Sequence, residues 1–392
     1  MSGPGPDSMT SRERLLTALS RGVPDRLPVT THHLMPAFLR GLGGISEREF
    51  FDRYGLDAIH WTTPLRPGPG FRVDPGADPA LEPWSHVSDL WRVERSSIHN
   101  AGFRTVRYTI NTPRQPLSMV LQDDGRTAWV AERLVKNKGD IDVIAEFAPV
   151  PLCDPGPVEA ARAGLGDRGI VRGAVPGFAL YGQPGCWQDA AVLCGIQELI
   201  LETYEDPGWV TALLGVLRDR KLAFLRSTAD ALFDLLELGG GDASSTVISP
   251  GIFDRFVAPF DAPLVEAAHH AGQRIVYHTC GGMMPLLERI AAMRPDAMET
   301  FTPKEMGGDA RLPEAKARIG SRTCMIGGFD QFHCLTGCTP ADTRRAVREA
   351  FEQAGTGGGF ILAPSDHFFE AEDALLRAFS EEARRCCYWG QV

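Results

Sequence analysis

Apolar residues at positions 15, 16 and 19 recur at the spacing of one helix face, directly behind Thr10-Ser11-Arg12-Glu13. A hydroxyl followed three residues later by Glu is a capping box, so a helix is expected from there to the Gly22 and Pro24 that end it. The apolar run at 26–31 reads as a short buried strand, and residues 58–63 read as another after a second helical stretch. Between about 89 and 135 the helical period gives way to short strand-like segments, at 104–110 and 127–131. Turn signals at Asn100-Ala101-Gly102 and Asp123-Asp124-Gly125 separate them. From about 165 onward, strands at 169–175, 232–238, 274–279, 297–301, 323–327 and 359–363 alternate with helical stretches, clearest at 207–228 and 341–354. The first of these opens on Asp206-Pro207, a cap followed by Pro at the first helical position.

Strict alternation of strand and helix implies a parallel sheet with right-handed crossovers. With the two early strands the count reaches about eight, which closes a barrel. The expected fold is therefore α/β, a (β/α)8 TIM barrel with an antiparallel excursion at about 89–135 in its N-terminal third. Residues 10–392 are expected to form one domain and residues 1–9 a disordered leader.

Composition narrows the function classes. A formal net charge of -10 and the lack of any Lys/Arg-rich block argue against a nucleic-acid partner. No apolar run approaches the roughly 18 residues of a membrane span, and the first residues lack the apolar core of a secretory signal. Nine cysteines without a disulfide-framework spacing point to reduced thiols and a cytoplasmic location.

In such a barrel, chemistry sits at the C-terminal ends of the strands. Those ends carry His32 and His33, His60 and Trp61, Glu237 and Asp242, His278 and Cys280, Glu299, Asp330, and Asp366 with His367. The sharpest local feature is His278-Thr279-Cys280-Gly281-Gly282. Side chains two apart in a strand face the same way, so imidazole and thiol point together, a two-ligand start for zinc. Asp366 or His367 would supply the third ligand, and the other of the two, with Glu237 and His32, would serve as an acid-base group. His33, His60, Trp61, Asp242 and Asp330 would line the substrate. The Glu237-Leu-Gly-Gly-Gly-Asp242 run lacks the Lys-Ser/Thr of a phosphate loop, so its glycines are read as clearing space for a substrate. Gly355 to Gly359 precedes a strand and reads as a tight turn, and His269-His270 as helical residues outside the barrel.

The opening Thr10-Ser11-Arg12-Glu13-Arg14-Leu15-Leu16, with Gly22-Val23-Pro24-Asp25-Arg26-Leu27-Pro28-Val29, resembles the start of uroporphyrinogen decarboxylase-like proteins. Ser249-Pro250 with Phe253 and Phe256, His278-Thr279-Cys280-Gly281, Ile326-Gly327-Gly328-Phe329-Asp330 and Gly358 to Pro364 are similar to later segments of that superfamily. The resemblance implies the (β/α)8 barrel and two chemistries. One branch decarboxylates uroporphyrinogen without a cofactor and grips its carboxylates with an N-terminal Arg-rich motif. This chain has Thr30-Thr31-His32-His33-Leu34-Met35 there, without the Arg fork. The other branch moves methyl groups between corrinoid proteins and small thiols or methylated substrates, and a subgroup of it holds zinc by His-x-Cys and a later Cys. Asp366 stands where that later Cys falls, which makes the metal harder and favours water or an oxygen substrate. The leading expectation is a metal-dependent methyltransferase-like enzyme acting on a small substrate, with zinc as cofactor, a corrinoid protein as partner and a homodimeric assembly. The alternatives are a metal-free decarboxylase or lyase, and a non-catalytic binding paralogue.

Overall fold

The computed structural model describes residues 7–78, 82, 85–99, 102–178 and 182–388. The first helix runs Ser11–Leu19, and both halves of the Thr10/Glu13 capping box are formed. Strand β1 (Ala58–Trp61) follows. The excursion is a four-stranded antiparallel sheet of β2 (Arg92–Ile98), β3 (Arg104–Asn111), β4 (Leu117–Asp123) and β5 (Ala128–Glu132) in sequence order. Its Asp123-Asp124-Gly125 turn lies between β4 and β5. Asn100 and Ala101 of the other turn signal lie outside the described residues.

The remaining strands are β6 (Gly169–Ala174), β7 (Leu235–Gly239), β8 (Ile275–His278), β9 (Ala297–Thr300), β10 (Cys324–Phe329) and β11 (Phe360–Pro364). With β1 they form one curled seven-stranded parallel sheet in the order β1-β6-β7-β8-β9-β10-β11. Strands β7, β8, β9 and β11 are buried at every residue, as expected of a parallel sheet that curls around its own inner face and carries helices outside.

The expected strand at 26–31 is not a regular strand; residues 28–30 contact the two edge regions of the sheet through isolated hydrogen bonds. Thr30 N donates to Leu362 O at 3.0 Å, Leu362 N to Pro28 O at 2.9 Å, and Asp57 N to Val29 O at 2.8 Å. Pro28 has no N–H to donate, which limits the pairing with β11 to one bridge at Val29.

The N-terminal strand ends are tied by buried ion pairs. Arg14 donates to Asp25 and to Asp57, each at 2.7 Å, and both carboxylates are sealed from solvent. Asp7 pairs with Arg26 at 2.7 Å and Met9 N donates to Asp25 at 2.9 Å, so residues 7–9 of the expected leader are fastened to the fold; residues 1–6 lie outside the described chain. The glycine run at 355–359 is the expected tight turn. Gly358 has φ +76, and a Cβ there would lie 2.0 Å from Gly22 O. All nine cysteines are free thiols. Among the described residues no helix is long and apolar enough to cross a membrane.

Candidate functional site

Strand β8 delivers His278 to its C-terminal end, and Gly281 at φ +85 turns the chain away after Cys280. The parallel register places His278 beside Glu299 of β9. Glu299 Oε1 faces His278 Nδ1 at 3.0 Å, and His278 Nε2 lies 2.8 Å from Cys280 Sγ. The carboxylate therefore takes the Nδ1–H and leaves Nε2 turned to the thiol. Asp366, just beyond β11, acts on the same thiol by charge and by hydrogen bonding. His367 lies against Asp366, with Nδ1 at 2.9 Å from Oδ1 and its backbone N donating to the same oxygen at 2.7 Å. His278, Cys280 and Asp366 thus meet at one end of the sheet although 86 residues separate the last two.

Beneath them lies a cluster that the motifs did not announce. Arg172, 1% exposed, projects from β6 and donates through Nη1 to Glu299 Oε2 at 2.9 Å and through Nη2 to Glu237 Oε2 at 2.6 Å; Nη2 also bonds Glu299 Oε1. Its guanidinium sits 4.2 Å from the Trp61 ring centroid. His33 stacks on Trp61 at 3.8 Å, and His32 stacks on His278 at 5.1 Å.

The local field follows from burial and these pairings. Burial alone would raise the Glu299 carboxyl, but the charge of Arg172, with the hydrogen bond and charge of His278, holds it well below its usual range. Glu237 has the weaker share of Arg172, and burial raises it. His32 is pushed down to about 3 by burial and is neutral, and burial lowers His33 in the same way. For His278 burial favours the neutral ring, but Cys280, Glu237 and Glu299 outweigh it and raise the value. The Cys280 thiol is raised, first by burial and then by Asp366. Burial would also raise Asp366, yet the His367 hydrogen bond and the surrounding imidazoles bring it below the carboxylate range.

Among the described residues one group of side chains closes tightly enough for a metal ion: one atom each from His32, Glu237, His278 and Glu299 lies within 4.8 Å of the others. That set already contains the Arg172 guanidinium, whose positive charge satisfies both carboxylates and repels a second cation. His278, Cys280 and Asp366 offer nitrogen, sulfur and oxygen, but their ligand atoms do not all fall within 4.8 Å of one another. Glu299 holds the Nδ1 side of His278.

The other expected site residues divide. Asp242 follows β7 on the rim beside Cys280. Its N donates to Gln188 Oε1 at 2.6 Å and its Oδ2 accepts from Gln188 Nε2 at 3.0 Å. The glycines before it permit close approach: a Cβ on Gly239 would meet His278 O at 2.4 Å, and one on Gly241 would lie 3.8 Å from Cys280 Sγ. His60 is not brought to this cluster. It pairs with Val171, whereas Trp61 pairs with Arg172, so alternation turns it outward, where Nδ1 lies 3.6 Å from Glu47 of the helix Glu47–Tyr54. Asp330 caps the short helix Gln331–Cys334, accepting from His333 N at 3.0 Å, and faces an outer groove beside Lys304 and Arg311. Arg172 is the residue the motifs missed. Its signal was a lone charge within an otherwise apolar buried strand, Gly-Ile-Val-Arg-Gly-Ala.

The family model for uroporphyrinogen decarboxylase matches residues 170–371, more than half of the chain. No curated protein matches. Among solved structures, a methyltransferase from Methanosarcina mazei is similar, with 16% identity and a TM-score of 0.63 over 96% of this chain and 99% of that one. A B12-independent methionine synthase from Shewanella sp. W3-18-1, in complex with selenomethionine, overlaps at 11% identity and a TM-score of 0.37, over 61% of this chain and 69% of that one. At 16% identity the first likeness shows a shared fold.

Proposed function

Starting from a chain that belongs to the uroporphyrinogen decarboxylase family, we propose a metal-dependent, methyltransferase-like enzyme acting on a small substrate at the His278–Cys280 edge. The observation that carries this reading is the orientation of His278, whose Nδ1 is held by Glu299 at 3.0 Å while Nε2 faces Cys280 at 2.8 Å with Asp366 alongside. These three side chains would hold zinc. Zinc bound there would supply a Lewis acid that keeps a thiol or oxygen nucleophile deprotonated near neutral pH.

The chain's own residues set the surroundings. Gly239 and Gly241 let the chain at the end of β7 pack closely against His278 and Cys280, and Asp242 bonds Gln188 beside them. Trp61 and His33 form a flat wall. His367 is 40% exposed and sits against Asp366, which suits proton exchange with solvent. Glu237 and His32 remain buried acid-base candidates.

The decarboxylase alternative is the weaker one on physical grounds. A carboxylate substrate needs a free guanidinium fork, and the terminal nitrogens of Arg172 are already committed to Glu237 and Glu299. A solved structure that shares this fold over nearly its whole length is a methyltransferase, and a corrinoid protein is proposed as the methyl-carrying partner from the superfamily resemblance. We further read residues 10–392 as one domain whose eighth stave is the segment at 28–30, closing a (β/α)8 barrel. A cytoplasmic location and a homodimer complete the proposal.

The test is elemental analysis of protein purified without added metal. Near-stoichiometric zinc in the wild type that is lost in Cys280→Ala and in Asp366→Ala supports the reading. A metal-free wild type that transfers methyl groups at full rate overturns it.

A further inference from the structure

Inside the sheet, below the His278–Cys280 edge, lies a small cavity. It is bounded by Thr30, Thr31, His32, Arg172, Glu299 and Thr300, among others, and gives the centre of a water molecule about 10 Å³ of room. That is close to the minimum one water needs. The walls are polar in a particular way. Thr30 Oγ1, Thr31 Oγ1 and Arg172 Nε are sealed from solvent and have no protein partner. Orphaned buried polar atoms are rare, because each gives up its hydration without replacement. Three around one cavity in a well-packed interior call for a common partner.

A second observation points to the same place. His32 Nδ1 lies 4.0 Å from Glu299 Oε2, too far for a direct hydrogen bond and short enough for one bridging molecule. Both residues line the cavity. A cation is disfavoured by Arg172 and an anion by Glu299, which leaves a neutral molecule able to donate and accept.

We propose that this cavity is a built hydration site for a single water, which accepts from Arg172 Nε and a threonine hydroxyl and joins His32 Nδ1 to Glu299 Oε2. The water makes His32 a positioning residue. Through it, the ring stacked on His278 at 5.1 Å is locked to the same carboxylate that orients His278. This inference uses the interior of the sheet alone and stands or falls separately from the metal reading.

The experiment is an electron-density map of the wild-type protein at about 1.8 Å or better. The expected result is one well-ordered peak within about 2.6–3.3 Å of at least two of Arg172 Nε, Thr31 Oγ1, His32 Nδ1 and Glu299 Oε2. An empty cavity overturns the proposal. A second measurement uses the opposite signs the two cases give. Thr30→Val and Thr31→Val each swap a hydroxyl for a methyl of similar size. If the water is present it loses a partner in one of the two variants, and Tm of that variant falls by about 1–3 °C. If the cavity is dry, each variant only removes an orphaned hydroxyl and Tm holds or rises in both, which refutes the proposal.

Discussion

Replacing Arg172 by Met tests the electrostatic account of the site most directly. The side chain is 1% exposed and neutralises two carboxylates through charge-assisted bonds from both terminal nitrogens. Its loss leaves Glu237 and Glu299 buried with His278 as the remaining positive neighbour, and breaking a buried ion pair by removing one partner costs about 3–5 kcal/mol. The structure gives a route to that figure. Burial already raises Glu237 even with Arg172 present, whereas Glu299 is held down chiefly by Arg172. Without the guanidinium both rise. Each pKa unit by which a folded carboxyl exceeds its unfolded value removes about 1.4 kcal/mol of stability at pH above both values. The rise of both carboxyls is therefore the physical source of the expected loss. The sign with pH is fixed by the same reasoning. A carboxyl whose folded pKa is raised binds its proton more tightly in the folded state, so the deficit is full at high pH and shrinks as pH falls through the raised values. Urea denaturation of metal-stripped wild type and Arg172→Met at about pH 8 and about pH 5.5 measures it. The gap should be about 3–5 kcal/mol at the higher pH and smaller by at least about 1 kcal/mol at the lower. A gap that is equal at both pH values, or below about 1 kcal/mol at pH 8, refutes the reasoning.

Three further outcomes follow from other parts of the molecule. Glu299→Gln should weaken zinc binding by about 10–100-fold in a chelator competition titration, because the amide cannot fix and polarise His278 as the carboxylate does; unchanged affinity would remove Glu299 from the metal-supporting role. His86 is buried with an unpartnered Nδ1, and burial lowers its pKa, so the unfolded chain binds the proton first and wild-type stability should fall as pH drops below about 6.5. In His86→Leu that part of the slope should vanish when denaturation midpoints are compared at neutral and mildly acidic pH, and parallel slopes would contradict it. Gly358→Ala should cost clearly more than about 1 kcal/mol, and more than Gly357→Ala, since both have positive φ but only a Cβ at 358 meets backbone, at 2.0 Å from Gly22 O. Equal shifts in Tm would show that steric contact adds nothing to the conformational strain.

What could be read from the sequence, and what could not, follows the range of the interactions involved. The capping box at Thr10, the helix opening at Asp206-Pro207 and the alternation after residue 165 are local signals, and the structure forms each of them within a few residues of the expected place. The run at 26–31 has a strand's composition, but its pairing depends on which backbone N–H groups exist, and Pro28 removes one. His278 and Cys280 could be paired from the chain because two residues in one strand share a face. The same parity rule should have separated His60 from Trp61, since adjacent residues cannot both face inward. Which of the two does so is decided only by the register that sets Trp61 against Arg172. Asp330 has the strand-end position expected of a substrate-lining residue, yet a carboxylate three residues before His333 has a near partner in that residue's backbone N–H, and it caps the helix there. Arg172 marks the limit of local reading. A guanidinium in a buried strand demands counter-charges, and they come from Glu237 and Glu299, 65 and 127 residues onward. No periodicity links the three; only the lateral pairing of the curled parallel sheet from β6 through β9 does. The lone arginine could have been flagged as requiring two distant carboxylates, because an unpaired charge at that depth would not permit folding. The strand-end glutamates already on the rim were the available candidates, so the sequence held the constraint even though it could not show the pairing.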